Sequence, residues 1–446
     1  MGYGSTIDID SLVGGGPCQC GRDHTLRTRR ILIGSGAVCE AGNAARLLGL
    51  TGRALVVADG NTWNVAGPQT LKALERAGFA ADVCRLPAGE LHTDEKTVGS
   101  IFLALMDDTA FLVAVGSGTI NDGCRFVARR SGLPYFVVGT APSMDGYASD
   151  VTPVNREGFK QTYRGVAPLA VVGDTDVLSA APANMKAAGL GDVFGKITAL
   201  MDWRMAQQAL GEYRCERVAS IMQTAVDACM TAAPGLEHND GQAVEGLMKG
   251  LVLSGLAMQM VNDSRPASGC EHHVAHFLEM RDLSRGRSAT LHGDKVGMAE
   301  ILMLRLYEKF FAVGGIGELN TEPLSRRQDE MRRSLGAFAE TVIAQGCSAK
   351  YDSMDIRRST LDSIAANWTA WQDEAKKLPG LRLAGEQSIR RSGGPVRPGE
   401  MGYSREDIAL AIRYAMELRD KFTILRLAHH TGRLDGLAEE LADEFC

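Results

Sequence analysis

The sequence predicts an α/β N-terminal domain of the Rossmann-like type and an all-α C-terminal domain, from two observations along its 446 residues. Before residue 178, short β-branched and aliphatic runs alternate with helix-like segments, as in βαβ units that build a parallel sheet. After residue 178 the β-branched runs disappear, and long segments with the apolar period of a helix replace them. We therefore predict an α/β domain over residues 1–178 and a helical domain over residues 179–446.

Six apolar runs are predicted to form the sheet, with helices between them. The runs cover residues 30–36, 53–59, 81–86, 110–116, 134–139 and 169–174, and the last of these is predicted to be the final strand. The helices predicted between them include 64–77, 93–106 and 121–131. Those predicted in the second half include 192–209, 216–233, 242–261, 295–311, 327–344 and 405–422.

Composition excludes several classes of partner. The chain has 45% hydrophobic and 23% charged residues and a net charge of -6, so it lacks the basic field that nucleic acids or anionic membranes require. No run reaches about 18 uninterrupted apolar residues, and the N-terminus lacks the basic start and apolar core of a signal peptide. We therefore expect a cytoplasmic protein with no nucleic-acid partner and no membrane insertion.

The ten cysteines are spread thinly, which predicts reduced thiols rather than a disulfide framework. Cys18 and Cys20, with His24, have the residue types of a metal clip. No second Cys/His pair in the sequence completes a four-ligand structural site, so the favoured interpretation is a loose, solvent-facing segment.

A glycine turn follows the fourth predicted strand, in the sequence Gly116-Ser117-Gly118-Thr119-Ile120-Asn121-Asp122. Small residues there would let backbone N–H groups approach a pyrophosphate at a helix N-terminus, although such a turn equally often just closes a βα connection. Asp59 ends the second strand, where an acid could accept from an adenosine ribose hydroxyl or simply cap a helix. The loop Thr140–Ser149 follows the fifth strand, at the edge of the sheet where α/β proteins bind ligands, and turn chemistry also explains its composition.

Four of the nine histidines, His272, His273, His276 and His292, lie within residues 271–295. On a helix, His272 and His276 would be one turn apart on one face. Imidazoles from two elements and one carboxylate from elsewhere would form a three-ligand metal centre with an open position, as catalytic sites do. Spacing alone favours the alternative, a satisfied or exposed histidine pair, because no diagnostic motif is present.

Five segments together resemble a known superfamily. Gly116–Asp122, Thr140–Gly146, Gly189–Lys196, Glu271–His276 and His292–Gly297 occur in the order found in iron-dependent alcohol dehydrogenases, glycerol dehydrogenases and dehydroquinate synthases. Over residues 28–435, the chain most resembles the sn-glycerol-1-phosphate dehydrogenases of the longer bacterial type. The resemblance implies the dehydroquinate synthase-like fold, with a dinucleotide-binding α/β domain and a helical domain that binds metal and substrate.

The resemblance also implies roles for individual residues. Asp192, His272 and His292 would bind a divalent metal, preferably zinc or nickel and alternatively iron. Asp192 and His276 would be catalytic, and both would contact the substrate together with Asp145. NAD(H) or NADP(H) would be held by a larger set, namely Asp59, Gly118, Thr119, Ile120, Asn121, Asp122, Thr140, Ala141, Pro142, Ser143 and Ser149. Cys270 and His273 are rival ligands by residue type, and His273 is expected to be a supporting or surface group.

The activity implied is reversible reduction of dihydroxyacetone phosphate to sn-glycerol 1-phosphate by NAD(P)H, in a homodimer. Lys160, Arg164, Lys196 and Lys295 could receive the substrate phosphate, and each is expected to be a surface charge. The alternatives are a metal-dependent polyol or glycerol dehydrogenase, a dehydroquinate-synthase-like cyclase, a dinucleotide-binding protein without turnover, and an iron oxygenase with two His and one carboxylate.

Overall fold

The computed structural model describes residues 7–14, 17–156, 159–287 and 290–446, and the side chains of residues 159, 160, 348 and 349 lie outside the described residues. Lys160, one of the basic candidates, therefore has no described side chain. Residues 1–6, which contribute to the expectation that the chain has no signal peptide, also lie outside the described residues.

A parallel sheet of six strands forms the centre of the N-terminal part, in the order β1-β8-β5-β4-β2-β3. Its four inner strands are apolar on both faces, as expected when helices cover both sides of a parallel sheet. The six predicted strands are thereby confirmed. The strands of the chain are β1 (Arg30–Gly34), β2 (Arg53–Asp59), β3 (Ala81–Leu86), β4 (Thr109–Gly116), β5 (Tyr135–Gly139), β6 (Val151–Arg156), β7 (Phe159–Arg164) and β8 (Ala170–Asp174).

Helices connect the strands and then make up the rest of the chain. The first ten are α1 (Ile9–Val13), α2 (Ala41–Leu47), α3 (Gly60–Arg76), α4 (Glu95–Leu103), α5 (Gly118–Ser131), α6 (Thr175–Ser179), α7 (Ala183–Phe194), α8 (Lys196–Leu210), α9 (Glu216–Leu236) and α10 (Gly241–Val261). The others are α11 (Cys270–Ser284), α12 (His292–Phe311), α13 (Leu324–Leu335), α14 (Phe338–Ile343), α15 (Cys347–Tyr351), α16 (Met354–Ala365), α17 (Trp368–Ala375), α18 (Leu378–Arg391), α19 (Arg405–Tyr414), α20 (Ile424–His430) and α21 (Leu434–Phe445).

The structure corrects four details of the predicted elements. The helix predicted over 192–209 is divided at Gly195, where α7 has ended and α8 begins. The antiparallel hairpin of β6 and β7 was not predicted, although Thr152 and Val154 alternate with more exposed neighbours at the period of a strand. The helix predicted over 327–344 is two helices, because Gly336 adopts a left-handed φ of 57° between α13 and α14. The helix predicted over 405–422 ends at Tyr414 and continues only as a short 3₁₀ turn.

Two compact units make up the fold. The first runs to Val193 and resumes over Ser220–Ser264, so it contains the sheet and α10. The second comprises Phe194–Ala219 and Arg265–Cys446, and α11 packs against α12 within it. In the part of the chain that the structure describes, alternating strands and helices give way to helices after β8, close to residue 178. That residues 1–178 and 179–446 form separate domains stays a prediction.

Helix α10 is the one element in the described part of the chain that is long and apolar enough to cross a membrane. Its apolar window has a mean hydropathy of 1.2, and 72% of it is buried within the protein. Burial of this kind is typical of a core helix in a soluble protein, where neighbouring elements cover the apolar side chains.

Candidate functional site

The glycine turn after β4 presents the N-terminus of α5. A Cβ on Gly116 would lie 2.6 Å from Cβ of Ile120, so the turn is tight enough to require glycine at that position. The first bond of the helix runs from Asn121 N to Ser117 O at 3.0 Å. The backbone N–H groups of Gly118, Thr119 and Ile120 therefore precede the helical bonding pattern, which is the arrangement that favours an anion.

Two polar side chains at the start of α5, those of Asn121 and Asp122, hydrogen-bond to neighbouring groups and hold the turn in place. Asn121 is fully buried; its Nδ2 donates to the carbonyl of Gly146 at 3.3 Å, and its Oδ1 accepts from the Tyr135 hydroxyl at 3.2 Å. Asp122 pairs with the buried Arg125 at 2.5 Å. Asn121 and Asp122 thus fix the position of the turn, and a direct contact of either side chain with a cofactor stays a prediction.

The loop after β5 closes beside the same turn. Thr140 N donates to Gly116 O at 3.3 Å, and the hydroxyls of Ser143 and Ser117 lie 2.5 Å apart. Within the loop, the Tyr147 hydroxyl donates to Ala141 O at 2.5 Å, and Ser149 Oγ accepts from Val151 N at 3.1 Å. The cofactor residues predicted at 118–122 and 140–143 are therefore neighbours in the first unit.

Asp59 caps helix α3. Its Oδ1 accepts from Asn61 N at 2.7 Å and from Thr62 N at 2.8 Å. In the opposite direction, Thr62 Oγ1 accepts from Asp59 N at 3.0 Å. The helix-cap interpretation of Asp59 is confirmed. The second interpretation, contact with a ribose hydroxyl, stays a prediction.

Asp145 and Asp192 are joined in the first unit. Asp192 lies on α7, fully buried, and its Oδ2 accepts from Asp145 N at 2.9 Å. The side chain of Asp145 accepts from Ser254 Oγ of α10 at 2.8 Å. One turn before Asp192, a Cβ on Gly189 would lie 1.9 Å from Pro142 O, so α7 approaches the loop closely enough to require glycine. Helix α7 and the loop therefore hold the two acids together.

Three imidazoles converge in the second unit. His272 and His276 lie one turn apart on α11, and His292 is the first residue of α12. Their ring centroids are 5.9 Å apart for His272 and His276, and 5.3 Å for each of these with His292. The prediction that His272 and His276 share a helical face, close to His292, is confirmed, and the spacing suits ligands or donors around one small site.

A carboxylate accepts from Nδ1 of each of these rings. Glu271 lies 2.6 Å from Nδ1 of His272, and Glu279 lies 2.9 Å from Nδ1 of His276 and 2.7 Å from Nδ1 of His292. A carboxylate on Nδ1 selects the tautomer with its lone pair on Nε2, the arrangement common behind metal-binding histidines. The donor set therefore fits a divalent transition metal. Glu271 and Glu279 were not assigned from the sequence, although Glu279 lies one turn beyond His276.

Both rival ligands lie in unsuitable environments. His273 is fully buried, so the surface alternative is wrong and a supporting role stays a prediction. Neither ring nitrogen has a hydrogen-bond partner among the residues that the structure describes. Burial, with the nearby cations Lys421 and Arg419, holds the pKa of His273 well below its usual value. Burial also raises the pKa of the Cys270 thiol well above normal, which disfavours the thiolate that binds metals.

A buried acidic cluster lies behind His272. Thr198 Oγ1 is 2.9 Å from Glu271 and also bonds Glu300, while Asp202 accepts from Cys270 N at 2.7 Å and from the Tyr307 hydroxyl at 2.6 Å. Burial raises the pKa of Glu271 and of Glu300, and it raises that of Asp202 to about 6.

The basic candidates differ in burial. Lys196 and Lys295 are fully buried, so the expectation that they are surface charges is wrong. Lys295 lies one turn after His292 on α12, and its Nζ donates to Thr290 O at 3.0 Å. Arg164 is more exposed and donates to Asn262 at 3.3 Å.

Comparisons with known proteins agree with the fold. A family model described as iron-containing alcohol dehydrogenase matches residues 32–182. Two relatives named glycerol-1-phosphate dehydrogenase [NAD(P)+] are similar over most of their length: one from Bacillus licheniformis is 34% identical, covering 95% of this chain and 94% of the relative. The other, from Bacillus subtilis, is 32% identical over 85% and 86%. The solved glycerol dehydrogenase of Schizosaccharomyces pombe matches the fold with a TM-score of 0.60 at 15% identity, covering 95% of this chain and 93% of that one.

Proposed function

Because the chain belongs to the glycerol-1-phosphate dehydrogenase family, we propose that it interconverts dihydroxyacetone phosphate and sn-glycerol 1-phosphate with NAD(H) or NADP(H). The observation that carries the proposal is the group of three imidazoles whose Nδ1 atoms are each held by a carboxylate. With Nδ1 protonated, Nε2 of each neutral ring carries the lone pair and can bind a metal ion or a proton. We propose a cytoplasmic enzyme that acts as a homodimer.

The dinucleotide is proposed to bind at the glycine turn and the loop beside it. Its pyrophosphate would accept from the first N–H groups of α5, where the helix dipole favours negative charge. The loop residues Thr140, Ala141, Pro142, Ser143 and Ser149 would form the wall next to the nicotinamide half. Asp59 would accept from the ribose, which favours NADH because a 2′-phosphate is repelled by its charge.

Asp192, His272 and His292 are the proposed ligands of one divalent metal, zinc or nickel by preference. When bound, the cation supplies a Lewis acid that stabilises negative charge on the C2 oxygen of the substrate during hydride transfer. Asp192 is oriented by the backbone of Asp145, and each imidazole by its carboxylate. These contacts fix the ligand atoms before substrate binds, which reduces the reorganisation needed during the reaction.

His276 is the proposed proton donor to the C2 oxygen. Because Glu279 accepts from its Nδ1, an imidazolium at His276 would keep that bond and donate from Nε2. After donation, the neutral ring would hold the tautomer that Glu279 already favours. Asp145 would contact the substrate hydroxyls, and Lys295, one turn from His292, is the proposed cation for the phosphate.

An NADH-oxidation assay after metal removal tests the proposal. Readdition of individual metals should restore turnover of dihydroxyacetone phosphate, and chiral analysis should identify sn-glycerol 1-phosphate. His292→Ala should lose both metal and activity while its circular dichroism remains native. Equal rates with dihydroxyacetone would favour an unphosphorylated polyol as substrate, and a reaction without net NADH consumption would favour a cyclase. Full turnover by metal-free His292→Ala would refute the ligand assignment.

A further inference from the structure

A second group of metal-ligating side chains lies near the start of the first unit. The turn Cys18-Gln19-Cys20-Gly21 is closed by a bond from Gly21 N to Cys18 O at 2.9 Å, and Gly21 has a left-handed φ of 79°. Donor atoms of Cys18, Cys20 and His24 all lie within 4.8 Å of one another. His24 is 5% exposed, so the expectation of a loose, solvent-facing segment is wrong for this residue.

The orientation of His24 is that of a metal ligand. Its Nδ1 lies 2.7 Å from the carbonyl oxygen of Met260, which can only accept, so Nδ1 carries the proton. The lone pair of the neutral ring is then on Nε2, which lies 3.4 Å from Sγ of Cys20. Tetrahedral zinc with bonds of about 2.3 Å to sulfur and about 2.0 Å to nitrogen places two such donors about 3.5 Å apart. The observed separation matches that geometry.

We propose that Cys18, Cys20 and His24 bind a zinc ion that is separate from the one in the proposed catalytic centre. Two thiolates and an imidazole select a borderline-soft cation and disfavour magnesium or calcium. Binding releases the two thiol protons to solvent and changes no oxidation state. Structural zinc has four ligands, so a water molecule or a further side chain completes the set.

The ion would fasten the N-terminal segment to the end of α10. Beyond His24, Arg27 N donates to Gln259 Oε1 at 3.0 Å, and Gln259 Nε2 donates to Thr28 Oγ1 at 2.9 Å. Gln259 also bonds the carbonyl of Ala148, in the loop that contains Asp145. Zinc at this position would therefore stabilise the first unit and hold the end of α10 against that loop, without contacting the reacting atoms.

Metal content and cobalt spectra test the site in the full chain. Zinc-loaded wild type should hold one more zinc equivalent than Cys20→Ser or His24→Gln, and the two variants should unfold at lower temperature. Cys39→Ser, which changes an exposed cysteine of the same unit, should match wild type in both. With cobalt, wild type should show a thiolate charge-transfer band that Cys20→Ser loses. Equal metal content in wild type and Cys20→Ser, with no such band, would overturn the proposal.

The same measurements separate this site from the proposed catalytic one. His292→Ala should lose activity and one metal equivalent but keep the thiolate band, whereas Cys20→Ser should keep activity at low temperature. If Cys20→Ser fails to fold, alkylation of the wild-type chain answers the question: zinc should protect Cys18 and Cys20, chelation should expose them, and Cys39 should react throughout. Equal labelling of Cys20 with and without zinc would refute the site.

Discussion

Glu279 is expected to control both of the imidazoles that it contacts. Its two oxygens accept from Nδ1 of His276 at 2.9 Å and of His292 at 2.7 Å. Glu279→Gln preserves the shape of the side chain but replaces one acceptor by an N–H donor. One imidazole must then move its proton to Nε2, which removes the lone pair from the side that is proposed to face the metal or the substrate.

The expected loss is about 10- to 100-fold in metal affinity or in kcat/KM, or ~1.4–2.7 kcal/mol, which is the usual effect of removing a carboxylate behind a ligating histidine. If the proton moves to Nε2 of His292, metal affinity should fall, because His292 is a proposed ligand. If the proton moves to Nε2 of His276 instead, kcat should fall at saturating metal. Competition with a chromophoric chelator measures the affinity, and NADH oxidation at several metal concentrations measures the rate.

Glu308→Gln is the matched control. Glu308 is also buried and also bridges two partners, with its oxygens 2.8 Å from Arg305 and 2.8 Å from Arg382. Its replacement should lower stability while leaving metal affinity and kcat at wild-type levels. Wild-type metal affinity together with wild-type turnover in Glu279→Gln would show that the orientation of these rings does not depend on Glu279.

Three further changes test other parts of the molecule. Asp59→Ser keeps a capping residue on α3 and should raise the NADPH/NADH ratio of kcat/KM; an unchanged ratio would remove Asp59 from ribose recognition. Gly189→Ala should lower kcat by about 100-fold, because its Cβ would meet Pro142 O, whereas Gly99→Ala, with open space around it, should be active; equal activities would contradict the close approach. The buried carboxyl of Asp202, with a pKa of about 6, stays protonated in the folded state at pH values where the unfolded chain ionises, so it should lower stability by about 3 kcal/mol as pH rises from about 4 to about 6. Urea unfolding of Asp202→Asn should show a shallower decline across that window, and an identical decline would exclude Asp202 as its source.

Most of the fold could be predicted because the sheet is buried on both faces. Runs such as 110–116 are apolar at every position, so they differ clearly from the helices around them. The hairpin of β6 and β7 has no such run. Pro153 and Asn155 interrupt β6, in which only alternate residues are buried, and no described side chain of β7 is buried. The break at Gly336 depends on a positive φ. A glycine permits this conformation, but the presence of a glycine does not by itself predict it.

The site was predicted less completely, because its geometry depends on contacts distant in sequence. His272 and His276 could be paired from helical spacing, but nothing in the sequence links His272 to Glu300. The two are connected through Thr198 and Glu271, which bonds Nδ1 of His272. Asp192 could be selected only by resemblance. The burial of His24 depends on a bond to the carbonyl of Met260, more than 200 residues away in the chain, which the residues around His24 do not predict.

Two buried acids, Glu271 and Glu300, share the hydroxyl of Thr198. A hydroxyl has one proton, so if it donates to Glu271, its contact with Glu300 requires a proton from Glu300. The charge of Lys196 opposes the rise in the pKa of Glu271, whereas Glu271 itself adds to burial in raising that of Glu300.

We therefore expect Glu271 to be the ionised acid that accepts from His272, and Glu300 to be its neutral neighbour. Glutamine reproduces a protonated Glu300, with an oxygen for Thr198 N and an N–H for Thr198 Oγ1, so Glu300→Gln should keep wild-type metal affinity. Glu271→Gln removes the charge behind His272 and should weaken metal binding about 10-fold or more. Calorimetric titration of metal-free protein compares the two, and stronger weakening in Glu300→Gln would reverse the assignment of the proton.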